Sequence, residues 1–215
     1  MKKLIALLLC LPTLALASVE IKGVGTTNVA KVNADGSLQV NEGPSRRVTY
    51  IASSSALVTT AAFNLSLEAE AARGFKVSQI CVGISPATAA AAVTVSVNRR
   101  TTASSGGTAA TAEGTGADSV SKMDPADANW TGVVRRTGTL GTVGPTLDQF
   151  AFTAPELGAG AADPGVFPYC KQYGLNGEKL PTVLAGTTNG LSVSATAPGA
   201  GGLAAGFISV TFVSE

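Results

Sequence analysis

The sequence predicts an all-β fold, a β-sandwich or jelly roll with a small N-terminal hairpin arm. Three observations predict it. Short apolar–polar alternations recur, as in Val93-Thr94-Val95-Ser96-Val97-Asn98 and in Phe207 to Val213, and a period of two marks a half-buried strand. Gly- and Ser-rich turns separate them at fairly even spacing, with 25 glycines in 215 residues, as in sandwiches and barrels. No strand–helix alternation of the kind that builds a parallel sheet is present.

Residues 1–17 read as a signal peptide. Lys2 and Lys3 form a basic start, Leu4 to Leu11 is an apolar run, and Ala15-Leu16-Ala17 places cleavage between Ala17 and Ser18. The apolar run is short for a membrane span. Cys10 lacks the small residues that precede a lipoprotein cysteine. The competing reading is a retained apolar arm. Cleavage predicts an exported, extracellular protein with no further membrane attachment.

Residues 18–44 form the arm. Val19 to Val24 alternates, Val29 to Val32 gives a second strand, and Asn33-Ala34-Asp35-Gly36 is a tight turn leading to Leu38-Gln39-Val40. Gly43-Pro44 breaks the pattern. Residues 45–215 form the body. Strands are expected at Arg47–Ala52, within Ala56–Leu67, at Phe75–Val82 and at Val93–Asn98. Glu68 to Gly74 reads as a helical turn or a polar loop, and Ala87 to Ala92 as a loop. Residues 101–118, rich in Thr, Ser, Gly and Ala, read as an exposed, mobile connection. Met123 to Trp130 is irregular. Strands follow within Thr131–Leu140 and at Gln149–Thr153, flanking a turn at Gly141–Pro145. The Pro- and Gly-rich stretch 154–181 reads as a long ordered excursion. Thr182–Leu184, Gly190–Ser194 and Phe207–Val213 complete the body.

Composition bounds the function. Hydrophobic residues make up 45% of the chain but aromatic ones only 5%, so the core is expected from Val, Ala, Leu and Ile. There is no histidine, which excludes Ser-His-Asp and Cys-His mechanisms and an ordinary zinc site. No enzymatic activity, cofactor or metal is expected. The formal charge is +1, and removing Lys2 and Lys3 from the 15 basic residues leaves 13 against 14 acidic ones, or −1. Neither value implies a nucleic-acid or anionic-membrane partner.

Cleavage leaves Cys81 and Cys170, which either pair in an oxidising compartment or pack as two separate thiols. Asp124, Asp127 and Asn129 are oxygen donors in one loop, but without a full calcium-binding spacing they read as a solvated turn. Glu68 and Glu70 would share a strand face, as a glycosidase pair needs, yet read more simply as a wet loop. Asn64-Leu65-Ser66 and Asn129-Trp130-Thr131 match the glycosylation sequon. Arg46-Arg47, Arg99-Arg100 and Arg135-Arg136 each lie beside a strand. They suit subunit interfaces or edge protection. Phe167, Tyr169 and Tyr173 form the best contact patch if exposed. Together with Trp130 they also carry a further alternative, a carbohydrate-binding module.

Residues 25–40, Gly-Thr-Thr-Asn-Val-Ala-Lys-Val-Asn-Ala-Asp-Gly-Ser-Leu-Gln-Val, resemble the N-terminal arm of a group of tailed-bacteriophage virion proteins. Arg99-Arg100 with Ala103 to Thr111 resembles a strand end and loop of the same proteins, and Gly190 to Val213 resembles their last hairpin. The resemblance spans most of residues 22–213. It implies a β-sandwich surface or fibre component without enzymatic activity, whose partners are copies of itself and other virion proteins. The leader departs from that pattern, because virion parts assemble in the cytoplasm. It keeps open a secreted bacterial filament subunit or adhesin.

Overall fold

The structure is a computed structural model. It describes residues 21–22, 29–32, 38–41, 47–55, 62–86, 91–136, 138–154, 168–175, 177, 179–196 and 203–215. The expected cleavage at Ala17–Ser18, the turn at 33–36, Arg46 and Phe167 lie outside these residues. The chain divides into two units, Met1–Arg46 and Arg47–Glu215.

The first unit is a three-stranded antiparallel sheet of β1 (Ile21–Lys22), β2 (Val29–Val32) and β3 (Leu38–Asn41), in that order. Val32 is the register partner of Leu38 between β2 and β3, and Ile21 that of Ala30 between β1 and β2. The three strands fall on the segments read from the sequence at residues 19–24, 29–32 and 38–40.

The second unit is a β-sandwich. Its strands are β4 (Thr49–Ser54), β5 (Ala62–Glu68), β6 (Phe75–Pro86), β7 (Ala91–Arg100), β8 (Thr108–Ala109), β9 (Thr111–Ala112), β10 (Asp118–Lys122), β11 (Val134–Arg136), β12 (Val143–Ala154), β13 (Pro168–Gln172), β14 (Thr182–Val183), β15 (Gly190–Thr196) and β16 (Leu203–Ser214). One sheet has the order β13-β6-β16-β4-β10-β9, with β14 also on β6. The other has the order β12-β7-β15-β5-β11-β8. All pairings are antiparallel except β9 with β10. No described residue is helical.

Alternation fills the space between the sheets. Tyr50, Ala52, Val82, Ile84, Ile208 and Val210 are buried from one sheet, and Leu65, Leu67, Val93, Val95, Val97, Leu191 and Val193 from the other. Strand β6 keeps its apolar side inward by a bulge. Phe212 pairs with Val77 and Thr211 with Gln79, which leaves Ser78 as an extra residue. One extra residue reverses the alternation. Phe75 and Val77 on one side of the bulge, and Ile80, Val82 and Ile84 on the other, are therefore all buried.

The core is not only aliphatic. Trp130 lies 5.3 Å from Tyr50, 5.9 Å from Phe75 and 5.0 Å from Phe212, measured between ring centroids. These rings close one end of the sandwich. Trp130 comes from the irregular 123–133 segment, which Tyr50 helps to fix by donating its hydroxyl to Ala128 O at 2.8 Å. Gly132 is required beside it, because a Cβ there would collide with Glu68 O and the Trp130 indole. Gly132→Ala is expected to lower the denaturation midpoint, read by circular dichroism, whereas alanine at the open Gly116 changes it little.

Residues 101–118 are largely exposed, as expected, but carry short strands rather than forming a loose connection. Strand β8 pairs with β11, β9 pairs with β10, and an isolated bridge joins Ser105 to Thr139. Ser104 is buried, its Oγ 2.9 Å from Ser66 Oγ. Small side chains let this segment lie close against the sheet. At Gly107, φ is +65° and a Cβ would strike Arg136 O. The expected turn at Gly141–Pro145 is also shorter than read, since Val143 already begins β12.

Candidate functional site

The sandwich closes along the side where the edge strands β12 and β13 meet. Asp148, Phe150 and Phe152 pair opposite Val97, Val95 and Val93, so they share the inward face of their sheet. Tyr169 and Lys171 pair opposite Val82 and Ile80, and share the inward face of theirs. The two edges interlock as a ladder. Tyr169 stacks on Phe152 with centroids 5.3 Å apart and planes 6° apart, and also lies 5.3 Å from Phe150. Lys171 Nζ sits 5.7 Å from the ring centroids of both Phe150 and Tyr173 and bonds Asp148 Oδ2 at 2.7 Å. Tyr173 donates its hydroxyl to the same oxygen at 2.8 Å.

Electrostatics follow from that packing. Burial would raise the Asp148 pKa, but the hydrogen bonds from Lys171 and Tyr173 outweigh it and hold the carboxyl below its ordinary value. Burial, with the adjacent carboxylate, pushes the Tyr173 phenol well up. The bulge contributes here as well, since Ser78 O accepts from Tyr173 N at 2.9 Å.

The disulfide Cys81–Cys170 lies on the other face of the same edge. The two cysteines are direct partners across β6 and β13, with Cα atoms 4.0 Å apart. It staples the edge strand to the sheet.

Beyond the ladder lies a cleft of about 540 Å³ walled by Asp148, Lys171, Tyr173, Arg99, Lys179 and Leu180. A second cavity of about 280 Å³ shares Arg99 and Thr182 with it and continues past Leu184 and Asn189. Strand parity puts Arg99 there. It follows Val93, Val95 and Val97 on the inward face, but past the end of the core, so it is exposed. Its guanidinium Nη2 donates to Thr182 O at 3.0 Å.

The other sequence candidates are distributed around the body. Arg100 is buried within the body rather than offered at the surface. Strand parity points it to the outer face, where the chain around Gly141 covers it. It is 3% exposed and donates to Ser192 Oγ at 2.8 Å and to Gly141 O, and burial lowers its pKa. Arg136 is turned inward to Asp118 at 3.0 Å. Arg135 donates to Gly106 O at 3.2 Å. Arg47 is exposed and pairs with Glu215 at 3.2 Å. Tyr173 is spent on the ladder rather than offered as a contact, while Tyr169 remains 41% exposed.

Glu68 and Glu70 are not a wet loop, since both are buried. Glu68 Oε1 accepts from Ser104 N and Oγ, each at 2.6 Å. Glu70 Oε1 accepts from Thr131 N at 2.7 Å, Thr131 Oγ1 at 2.8 Å and Arg73 Nη2 at 2.9 Å. Each carboxylate clamps a crossing loop to the end of β5. Trp130, at 4% exposure, has no ring face to offer a sugar. Asp124 Oδ1 accepts from Ala126 N at 3.0 Å, and among the described residues no group of His, Cys, Asp or Glu converges on a metal position. No helix among the described residues is long and apolar enough to cross a membrane.

Burial would raise the Glu70 pKa, but its Arg73 and Thr131 donors outweigh that and hold the carboxyl below its ordinary value. A depressed carboxyl pKa contributes stability that is present above the ordinary value and lost as pH falls through the folded one. Acidification through this lowered folded value is therefore expected to release Thr131 and to shift emission of the lone tryptophan, Trp130, to the red. Glu70→Gln is expected to be less stable at neutral pH and to lose that part of the acid dependence.

No family model, curated protein or solved structure matches this chain.

Proposed function

We propose that this protein is a non-enzymatic structural subunit that self-assembles, forming part of a phage-like virion surface as a capsid decoration or fibre. The observation that carries the reading is the division of the chain into a self-contained sandwich and a separate unit of three short strands. So small a sheet is marginal alone and gains most by adding strands to, or lying across, a neighbouring copy. The strand order supports a jelly-roll body. Counting β4, β5, β6, β7, β12, β13, β15 and β16 in chain order, one sheet runs first-eighth-third-sixth and the other second-seventh-fourth-fifth. That is the order a long hairpin takes when wrapped across two layers. The use of Glu68 and Glu70 as loop clamps also favours a building block over a hydrolase.

Mass-resolved size exclusion of residues 18–215, with electron microscopy of any large fraction, tests the reading. A closed oligomer or a filament is expected, and a stable monomer would overturn it. The leader at residues 1–17 favours a second reading, a secreted bacterial filament subunit or adhesin. Mass spectrometry of the native protein separates the two, since a mature start at Ser18 favours export and an intact Met1 the virion part.

A further inference from the structure

We infer that the cleft beside the β12–β13 ladder binds an acidic oligosaccharide, a chain of sugar rings bearing carboxylate or sulfate groups. The site is formed by the sandwich alone and does not depend on assembly. Three cations line it, Arg99, Lys171 and Lys179. Among the described residues the one acid in its wall is Asp148, already bonded to Lys171 and Tyr173. Among the described residues the local balance is therefore cationic, although the whole chain is nearly neutral. Low-dielectric walls focus such a field and raise the local concentration of anions.

The cations differ in how they are held. Lys171 is fixed between the Phe150 and Tyr173 rings and Asp148. Arg99 spends one donor on Thr182 O and keeps the rest of its fork for a ligand. Lys179 is exposed and has no partner among the described residues. Two positioned cations and one free to reach are suited to charges spaced along a chain.

Shape and chemistry narrow the class. The cavities of about 540 and 280 Å³ adjoin through Arg99 and Thr182, so a ligand of several linked units is accommodated rather than a lone ion. Leu147, Leu180 and Pro181 supply aliphatic wall, against which the C–H face of a sugar ring packs. Single-stranded nucleic acid fits less well, because it depends on bases stacking on open aromatic rings. The aromatic ring in this wall, Tyr173, is half-buried, with the Lys171 ammonium 5.7 Å from its centroid.

The test is calorimetric titration of the full protein with four probes of matched length. These are a heparin-derived hexasaccharide, a hexagalacturonate, a neutral cellohexaose and a single-stranded hexanucleotide. Binding of at least one acidic saccharide is expected, weakening as salt is added, and whichever of the two binds better identifies sulfate or carboxylate as the recognised group. The neutral saccharide should not bind, and the nucleotide should bind more weakly. Lys179→Glu should weaken binding about tenfold with an unchanged circular dichroism spectrum. The inference is overturned if neither acidic saccharide binds, if the neutral or nucleotide probe binds as tightly, or if a folded Lys179→Glu protein binds unchanged.

Discussion

Trp130→Ala is expected to destabilise the sandwich by about 3–5 kcal/mol, the range for deleting a large buried aromatic side chain. Trp130 is 4% exposed and touches three other rings, those of Tyr50, Phe75 and Phe212. Its removal opens a cavity at one end of both sheets. The surroundings have little freedom to collapse into it. Tyr50 is tied to Ala128, Glu70 holds Thr131, and Gly132 sits against Glu68 O. Trp130→Phe should cost less, since a ring remains to meet the cluster. Urea unfolding followed by far-ultraviolet circular dichroism measures both. A loss below about 1 kcal/mol for the alanine variant, in the range of ordinary surface substitutions, would mean that the segment does not seal the core.

Joint replacement of Cys81 and Cys170 by serine is expected to cost about 4–5 kcal/mol by the chain-entropy relation for a loop of this length. The bridge spans 89 residues and so restrains much of the unfolded body. It also has a local effect. Among the described residues, strand β13 lies at the edge of its sheet and pairs only with β6. Without the bridge, β13 is held by that pairing and by the ladder to β12. Amide exchange should therefore quicken along Pro168–Gln172 before the rest of the sheet. A reductant should lower the unfolding midpoint of the unsubstituted protein and leave the double-serine protein unchanged. Equal midpoints for the two proteins without reductant would contradict the expected contribution.

The fold class was legible because alternation is strongest where the strands are central. Val93, Val95 and Val97 in β7, and Ile208, Val210 and Phe212 in β16, announce their faces directly. Strand β6 was harder to read. Its apolar residues do not keep one parity, and the bulge at Ser78 that reconciles them depends on pairing with β16, 133 residues away in the case of Thr211. Residues 101–118 misled for a different reason. Thr, Ser and Gly are turn formers by composition, and only their contacts with Glu68, Thr139 and β11 show that they are stitched down.

The candidate site was less legible than the fold. Arg99 and Arg100 are neighbours in sequence with opposite fates, because strand parity sends one to the cleft and the other under a covering loop. Tyr169 and Tyr173 were visible as an aromatic group. Their partners Phe150, Phe152 and Asp148 come from the opposite sheet, and no local pattern connects them. Lys179 carried no signal, since an isolated lysine in a loop reads as solubilising charge. The aromatic end of the core was hidden for the same reason, with its four rings drawn from positions 50, 75, 130 and 212.

Assembly is expected to depend on the N-terminal unit, and the body is expected to fold without it. The most direct measurement is mass-resolved size exclusion of the 18–215 protein beside one lacking residues 19–43, with circular dichroism on both. The expected result is a large, defined assembly for the first and a folded sandwich monomer for the second. The same number of subunits in the two, whether assembled or monomeric, would contradict that dependence.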